Sequence, residues 1–375
     1  SENRRGRRGR RAQSLRPLRF VKNATISISY VLSQHLSHPQ HFLTLHSLIP
    51  HQNNRFYSGY LTHMTARVLV TGGAGYIGSV LCEHLLNAGH RVTVLDSLVF
   101  GQSSHFHFCA NGDYDFHFGD VRDESLLKAL LRDADVVIPL AALVGAPLCD
   151  RDPWSAKAIN FEAIQQINRL CSEDQLVLFP MTNSGYGTKS GDKYCTEDTA
   201  LEPISLYGRT KVDAEQEVLS RKNGISLRLA TVFGMSPRMR LDLLVNYFTY
   251  MAFTERNLVL FEKDFKRNFV HVRDVADCFV YCIEHAASMI GKPYNVGLDA
   301  ANMSKAEVAD KIKEFVPELY IHCAEIGSDP DKRNYVVSNQ RLREAGFEAK
   351  RSIEDGIREL LKGYRMLTRS GFKNV

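Results

Sequence analysis

The sequence lacks the features that mark membrane-spanning and secreted proteins. Its longest apolar run, residues 136–148, is shorter than the ~20 residues that a transmembrane helix needs, and it contains two prolines. None of the eight cysteines forms a C-x-x-C pair, and no charged-then-apolar secretory signal opens the chain. We therefore predict no membrane span and free thiols in a reducing compartment, with the cytoplasm as the expected location.

Acidic residues are almost missing from residues 1–63, which hold nine Arg, one Lys and a single acid, whereas the rest of the chain holds 37 basic and 41 acidic residues. The Arg-rich composition is typical of a segment that binds nucleic acid. It is equally typical of an import presequence, which would make an organelle the alternative location. The interpretation that we favour is an unstructured extension outside the fold, because Met64 lies three residues before the first predicted strand. His35, His38 and His41 lie in an irregular segment without a second ligand pair, so no metal site is predicted.

Strands and helices alternate regularly after this extension. Apolar runs without polar alternation, such as RVLVTG and LVLFP, are separated by segments with helical spacing. This pattern predicts an α/β fold in residues 64–234, a doubly wound Rossmann-type parallel sheet with helices on both faces. Residues 235–375 are predicted to form mainly a smaller α/β substrate-binding lobe, with a helix over MSPRMRLDLLVNYFTYMAF and a strand at KPYNVG. Ligands of such folds bind at the carboxyl ends of the strands.

The run VTGGAGYIG between the first strand and the first helix predicts a dinucleotide site. Gly72 permits a tight turn, Gly75 lets the backbone approach a pyrophosphate, and Gly78 lets the helix pack on the strand. Asp96 ends the next strand, 21 residues after Gly75, and can accept both ribose hydroxyls while repelling a 2′-phosphate. The predicted cofactor is therefore NAD rather than NADP. Asp120 could accept from the adenine amino group, although an acid that starts a helix is also a common N-cap.

A hydroxyl-rich stretch, MTNSGYG, follows the strand LVLFP and precedes a Tyr-x-x-x-Lys pair. Tyr207 and Lys211 are four residues apart and share one helix face. Hydride transfer from a sugar carbinol to NAD needs a base for the hydroxyl proton. Free tyrosine has a pKa of ~10, so its ionisation near neutrality requires a drop of roughly three units, about 4 kcal/mol. The Lys211 ammonium and the nicotinamide charge can supply it, while Thr182 hydrogen-bonds the same substrate oxygen.

At these residues the chain resembles the extended short-chain dehydrogenase/reductases, specifically the nucleotide-sugar epimerases and dehydratases that include UDP-glucose 4-epimerase-like members. The resemblance covers about residues 66–366 and rests on GGAGYIG, Asp96, GDVRD, AALVGA, TNSGYG, YGRTK, RNFVHVRDVA and YNVG. It implies catalytic roles for Thr182, Tyr207 and Lys211, and a nucleotide-sugar diphosphate held by Arg267, with Arg333 as a second grip. The implied cofactor contacts are Gly72, Gly75, Tyr76, Ile77, Gly78, Asp96, Asp120, Val121, Ala141 and Lys211.

Two residues after Thr182 favour one reaction of this family over another. The 4,6-dehydratases similar to this chain carry an acid there, which protonates the departing hydroxyl, whereas Asn183 and Ser184 do not titrate. We therefore expect an epimerase, acting at C4 through a transient 4-keto sugar, with Asn183 and Ser184 as neutral substrate contacts. The alternatives are a 4,6-dehydratase with acids from elsewhere, such as Asp192, Glu197 or Cys149, a one-way reductase, and a non-catalytic dinucleotide-binding scaffold.

The resemblance also implies a homodimer, in which the helices near residues 152–171 and 205–222 pair with their copies.

Overall fold

The computed structural model describes residues 65–101, 104–189, 194–324 and 333–367. The expectations for residues 1–63, Met64 and Asp192 lie outside these residues. The strands are β1 (Arg67–Thr71), β2 (Arg91–Asp96), β3 (Tyr114–Phe118), β4 (Val136–Pro139), β5 (Leu176–Thr182), β6 (Tyr194–Cys195), β7 (Gly224–Leu229), β8 (Thr231–Phe233), β9 (Asn257–Leu260), β10 (Lys266–His271), β11 (Pro293–Val296), β12 (Asn302–Ser304), β13 (Tyr320–Cys323) and β14 (Val336–Val337).

The α-helices are α1 (Tyr76–Asn87), α2 (Glu124–Leu131), α3 (Ala146–Arg151), α4 (Pro153–Lys157), α5 (Ala163–Leu170), α6 (Leu206–Leu219), α7 (Leu244–Thr254), α8 (Val272–Glu284), α9 (Ala286–Met289), α10 (Lys305–Phe315), α11 (Gln340–Glu344) and α12 (Ile353–Tyr364). A π-helical stretch, Ala158–Glu162, joins α4 to α5. Short 3₁₀ turns cover Phe106–Phe108, Asn183–Tyr186 and Asp299–Ala301.

The central sheet confirms the predicted doubly wound α/β architecture. Seven strands run in the order β11-β7-β5-β4-β1-β2-β3, and each neighbouring pair is parallel. The order reverses between β1 and β4, so the connections that leave these neighbouring strands go to opposite sides. Such a switch point opens a crevice at the carboxyl ends of the two strands, where ligands of open α/β sheets bind.

Alternate residues of the central strands supply two apolar layers, one on each face of the sheet. In β1, Val68 and Val70 join the cluster under α1 and α8, while Leu69 joins the cluster under α2, α5 and α6. In β5, Leu178 lies in the first cluster and Phe179 in the second. Because both faces are covered, the strands are apolar throughout, which is the pattern that the sequence displays.

Residues after 234 contribute both to the central sheet and to smaller sheets outside it. The predicted KPYNVG strand belongs to the central sheet, because β11 pairs with β7 at its edge. They also form the pair β13-β9 and supply β10 and β12 to a three-stranded sheet, β12-β10-β8, whose third strand precedes residue 234.

The helix predicted over residues 235–253 is wrong in its first half, because α7 begins only at Leu244. Residues 235–243 are irregular instead. Pro237 lacks a backbone N–H, and the Ser236 hydroxyl donates to the Tyr76 carbonyl at 2.7 Å. This segment therefore lies against α1 rather than continuing α7.

Within the described residues, none of the helices is long and apolar enough to cross a membrane. All eight cysteines are free thiols. The described residues contain no group of three or more His, Cys, Asp or Glu side chains that could hold a metal ion.

Candidate active site

A cavity of about 920 Å³ lies at the carboxyl ends of β1, β4 and β5. The predicted residues that line it are Gly72, Gly75, Tyr76, Ile77, Gly78, Asp96, Asp120, Val121, Ala141, Thr182, Ser184, Tyr207, Lys211, Arg267 and Arg333. Asn183 is not among the lining residues. The fold therefore brings sequence-distant candidates to one site at the switch point of the sheet.

The glycine turn between β1 and α1 leaves room for a diphosphate. Gly72 has a φ of 71°, and a Cβ there would come within 2.5 Å of the Ala141 nitrogen. A Cβ on Gly78 would collide with the Gly73 carbonyl, so α1 lies directly against the turn. No side chain caps α1 at Gly75, and its first-turn N–H groups and positive dipole end face the cavity. These features fit the phosphates of a dinucleotide.

Asp96 holds the turn after β2 in place. Its two carboxylate oxygens accept from the backbone N–H groups of Ala74 at 2.9 Å and Leu98 at 2.8 Å. Burial raises the pKa of Asp96, while these N–H groups lower it. The carboxylate is placed one strand away from the glycine turn, where it fits the adenosine ribose of NAD.

Asp120 pairs with Arg122, whose Nε and Nη2 atoms donate to its carboxylate at 2.9 and 2.6 Å. The ion pair and hydrogen bonds from Arg122 lower the pKa of Asp120. The N-cap alternative is wrong for this residue, because Asp123 caps α2 by accepting from the Ser125 and Leu126 N–H groups. Asp120 lines the cavity instead, and its contact with adenine stays a prediction.

The end of β5 confines Thr182 and Ser184 by hydrogen bonds. The Thr182 hydroxyl accepts from the Ser184 N–H at 3.1 Å and donates to the Ser184 hydroxyl at 3.0 Å. Arg333 donates to the same Ser184 hydroxyl. Asn183 is buried outside the cavity lining: it is 1% exposed, and within the described residues neither of its side-chain amide atoms has a hydrogen-bond partner. Of the two neutral contacts expected for substrate, only Ser184 lines the cavity.

Tyr207 lies in the first turn of α6 and lines the cavity together with Thr182. Burial raises the pKa of Tyr207 to about 12, against the lowering effects of Arg240, Arg333 and Thr182. The net shift is opposite to the one predicted from Lys211, because the loss of hydration outweighs the nearby cations. Arg240, which the sequence analysis did not name, and Arg333, which it assigned to the diphosphate, therefore supply positive charge near this hydroxyl.

Lys211 lies one turn further along α6 with its side chain 4% exposed. Its ammonium packs over the Phe179 ring, 3.9 Å from the ring centroid. Burial lowers the pKa of Lys211 to about 7, and Glu215, another turn along, raises it. Glu215 in turn accepts from Arg228 Nη2 at 2.8 Å and from the Ser226 hydroxyl at 2.5 Å. Burial therefore disfavours the charged form of Lys211.

Several cavity residues escaped the sequence argument because they lie in the segment predicted as helix. Arg238, Arg240 and Asp242 line the cavity from residues 235–243. Arg240 Nη2 donates to Asp242 at 2.5 Å, and Arg240 counteracts the burial that raises the pKa of Asp242, so the net shift is downward. Pro237 in SPRMRLD was the available signal, since proline in a helix interior removes a hydrogen bond.

The model of the NAD dependent epimerase/dehydratase family matches residues 68–297. A Bacillus subtilis protein named as an uncharacterized UDP-glucose epimerase, YtcB, is 31% identical over 266 residues, which are 66% of this chain and 79% of that protein. The UDP-glucose 4-epimerase of Mycolicibacterium smegmatis is 28% identical over 80% of this chain and 98% of its own length.

A solved structure with a similar fold is the dTDP-glucose 4,6-dehydratase of Bacillus anthracis in complex with NAD. It superimposes with a TM-score of 0.71 at 20% identity, covering 82% of this chain and 99% of the dehydratase. At that identity the likeness carries the fold alone. Since proteins named as epimerases and as dehydratases both resemble the chain, the reaction has to be argued from the site.

Proposed function

The chain belongs to the NAD-dependent epimerase/dehydratase family, and from that premise we propose that it is a nucleotide-sugar epimerase that inverts C4 through a transient 4-keto sugar. The observation that carries the proposal is that Tyr207 and Thr182 converge in one cavity, and that the two residues after Thr182 do not titrate. Such a site can remove and return a proton at a carbinol oxygen. It offers no carboxylic acid at the positions from which a dehydratase protonates a leaving hydroxyl.

In this proposal the Tyr207 hydroxyl exchanges a proton with the 4-oxygen of the sugar, as general base and then as general acid. With substrate bound, Thr182 redirects its proton from Ser184 to the same oxygen, while the Ser184 N–H, which donates to the Thr182 oxygen, keeps the hydroxyl in place. Arg240 and Arg333 favour the ionised tyrosine. When bound, NAD supplies a reversible hydride acceptor and a positive ring charge. The ketone must then turn within the cavity before reduction from its other face.

The substrate's diphosphate would lie between Arg267 on β10 and Arg333. Arg267 is 4% exposed and lines the cavity, where a buried guanidinium favours a phosphate partner. Arg333 donates to Ser184, so one side chain could touch both the phosphates and the reacting end. UDP-glucose is the first substrate to test, because both relatives described above are named as UDP-glucose epimerases.

The acids considered for a dehydratase give that alternative little support. Glu197 does not line the cavity and accepts from the Asn295 N–H at 2.8 Å. The Cys149 thiol faces the Leu143 carbonyl at 3.2 Å, and burial raises its pKa to about 11. Asp242 does line the cavity, but its pairing with Arg240 keeps it ionised at neutral pH. An ionised carboxylate cannot protonate a leaving hydroxyl.

Turnover of UDP-glucose in heavy water tests the reaction. A C4 epimerase needs no solvent hydrogen in the carbon skeleton, so we expect a product of unchanged mass, without carbon-bound deuterium and without net NADH. Nuclear magnetic resonance would identify the inverted centre, and Tyr207→Phe serves as the inactive control. A product lighter by one water and deuterated at C5 would instead establish a dehydratase, and stoichiometric NADH would establish one-way oxidation.

We further propose a homodimer built on α4, α5 and α6, acting in a reducing compartment such as the cytoplasm. Trp154 on α4 is 86% exposed, although large aromatic side chains favour burial. Gln165 on α5 donates to Glu217 on α6 at 3.0 Å, so these two helices lie side by side. Light scattering at micromolar concentration should give the dimer mass. Trp154→Ser should weaken the association, and a monomer mass for the unaltered protein would contradict the proposal.

A further inference from the structure

Residues 234–238 are fastened to the glycine turn by side-chain hydrogen bonds. The Tyr76 hydroxyl donates to the Gly234 carbonyl at 2.7 Å, and the Ser236 hydroxyl donates to the Tyr76 carbonyl at 2.7 Å. Ser79, one turn into α1, shares a hydrogen bond of 2.9 Å with Ser236. Ser236 Oγ also accepts from the Arg238 N–H at 3.3 Å. The backbone of Arg238 is thereby fixed beside the first turn of α1.

The Arg238 side chain extends over the cofactor half of the cavity, which we define by the glycine turn, Asp96 and the loop after β2. Its guanidinium lies over the Phe100 ring, 4.2 Å from the ring centroid, and its Nη1 donates to the Met239 carbonyl at 3.0 Å. Arg238 is 4% exposed, yet it lines the cavity together with Gly75, Asp96 and Phe100. Burial lowers the pKa of Arg238 to about 10, while Asp96 and Asp242 raise it.

Arg240 provides a contrast within the same segment. It pairs with Asp242 and acts on Tyr207, so it belongs to the substrate half of the cavity, which we define by Thr182, Tyr207, Arg267 and Arg333. The other cofactor-half arginine named above, Arg122, is paired with Asp120. Arg238 differs from both, because its aromatic neighbour, its anchoring residues and the attraction of Asp96 all come from the cofactor half.

We propose that Arg238 binds the diphosphate of the dinucleotide, across from the uncapped first turn of α1. The uncapped N–H groups of that turn and the guanidinium would then contact the phosphates from two sides. The same cation offsets Asp96, whose carboxylate is suited to the ribose but repels the neighbouring phosphates. This assignment rests on the dinucleotide binding that is part of the proposed function and is independent of the sugar reaction.

Exchange of bound NAD measures this contact without turnover. The protein is purified without denaturation, and the NAD content of one portion is determined after acid release. Excess isotopically labelled NAD is then added to the rest. Mass spectrometry then follows replacement of the unlabelled dinucleotide. Loss of a charge-assisted contact should make exchange in Arg238→Gln about ten to a hundred times faster than in the wild type. The matched control, Arg358→Gln on α12, should exchange within about twofold of the wild type, because its exposed side chain lies outside the cavity lining.

Two further measurements separate the diphosphate from other roles. Arg238→Lys retains the charge but cannot stack a planar group on Phe100. Its exchange rate should therefore fall between those of the wild type and Arg238→Gln, and this comparison does not require Arg238→Gln to be fully stable. ADP and adenosine can each be used to displace labelled NAD. Displacement from Arg238→Gln should require about tenfold more ADP than displacement from the wild type, but the same concentration of adenosine.

Equal exchange in Arg238→Gln and the wild type would overturn the inference and leave the proposed function standing. Equal weakening of ADP and adenosine would assign Arg238 to the ribose through Asp96, and weakened UDP with unchanged NAD would assign it to the substrate. Either result contradicts diphosphate binding. A wild type that neither holds nor takes up NAD would overturn the inference and the proposed function together.

Discussion

The two halves of the cavity are built in different ways. In the cofactor half, most of the groups that shape the site belong to the backbone. The glycine turn, the first turn of α1 and the N–H groups that hold Asp96 all come from residues 72–98. In the substrate half, side chains from four separate segments converge, and Arg267 and Arg333 are far from Tyr207 in sequence. The backbone of the cofactor half is one continuous stretch of chain, to which Arg238 is added from a distant segment, whereas the substrate half exists only when the whole chain is folded.

This difference determines how each half should respond to mutation. A backbone site has few side chains to remove, so single substitutions should change its selectivity more than its existence. A side-chain site depends on individual charges and hydroxyls, so single substitutions should abolish a step or a contact. The two halves should also separate experimentally, with NAD affinity and substrate affinity changing independently.

Tyr207→Phe should have the largest effect, because the residue lies where the halves meet and carries the proton. We expect the rate to fall at least about a hundredfold, with NAD affinity unchanged since the ring still packs. Steady-state rates and NAD titration measure the two quantities. Tyr247→Phe, another tyrosine of the cavity wall, is the matched control and should keep its rate within about threefold. Retention of more than about a tenth of the activity by Tyr207→Phe would refute its role as base.

Arg267→Gln should affect the substrate half alone. Removal of a buried charged contact to a phosphate should weaken UDP binding about fiftyfold while NAD binding stays the same. Calorimetric titration of the NAD-loaded protein with UDP gives the comparison. The exposed Arg358→Gln on α12 controls for the change in net charge. A parallel loss of NAD and UDP affinity would mean that the halves are not separable at this residue.

The same difference explains what could be predicted from the sequence. Local order and spacing reveal a backbone site, so the glycine turn, Asp96 and the parallel sheet followed from short motifs. Tyr207 and Lys211 were accessible for the same reason, as neighbours on one helix face. The contribution of Arg240 and the position of Arg238 were not accessible, because residues 235–243 have apolar spacing typical of a helix but are held by Ser236 and Tyr76 across the fold.

The pKa of Tyr207 shows a further limit of sequence reasoning. Charge pairing can be inferred from a Tyr-x-x-x-Lys spacing, whereas desolvation depends on everything that surrounds the hydroxyl. Burial raises the pKa of Tyr207 and lowers that of Lys211, and each effect exceeds the charge effects at the same group. The burial of Asn183 could not be predicted for a similar reason, since the 3₁₀ turn Asn183–Tyr186 determines which side chains face the cavity.

Lys211→Met should make the protein more stable at low pH. The folded pKa of Lys211 is lowered from 10.5 to about 7, so the unfolded chain binds more protons between these values and stability rises with pH there. The penalty of burying the ammonium is complete below about pH 7 and vanishes above the unfolded pKa. We expect the variant to gain about 2 kcal/mol in unfolding free energy at about pH 6, and less at about pH 9.

Urea denaturation at both pH values measures this difference between Lys211→Met and the wild type. The exposed Lys128→Met on α2 is the control and should show no pH-dependent gain. A gain of the same size at both pH values would attribute the effect to packing of the methionine rather than to the charge. If Lys211→Met loses activity while it gains stability, the buried Lys211 ammonium serves the reaction although it lowers the free energy of unfolding.

Asp96→Asn should have the smallest effect, because it changes selectivity in the half that the backbone builds. The carboxylate accepts from the Ala74 and Leu98 N–H groups through separate oxygens, and asparagine can replace only one of these acceptors. NAD should therefore bind somewhat more weakly, while NADP gains from removal of the charge that repels its 2′-phosphate. We expect the preference for NAD over NADP to fall about tenfold in fluorescence titrations. Asp120→Asn removes the carboxylate that follows the neighbouring strand β3 and should leave the ratio of NAD to NADP affinity unchanged. An unchanged ratio in Asp96→Asn would show that the turn itself, and not the carboxylate, excludes the phosphate.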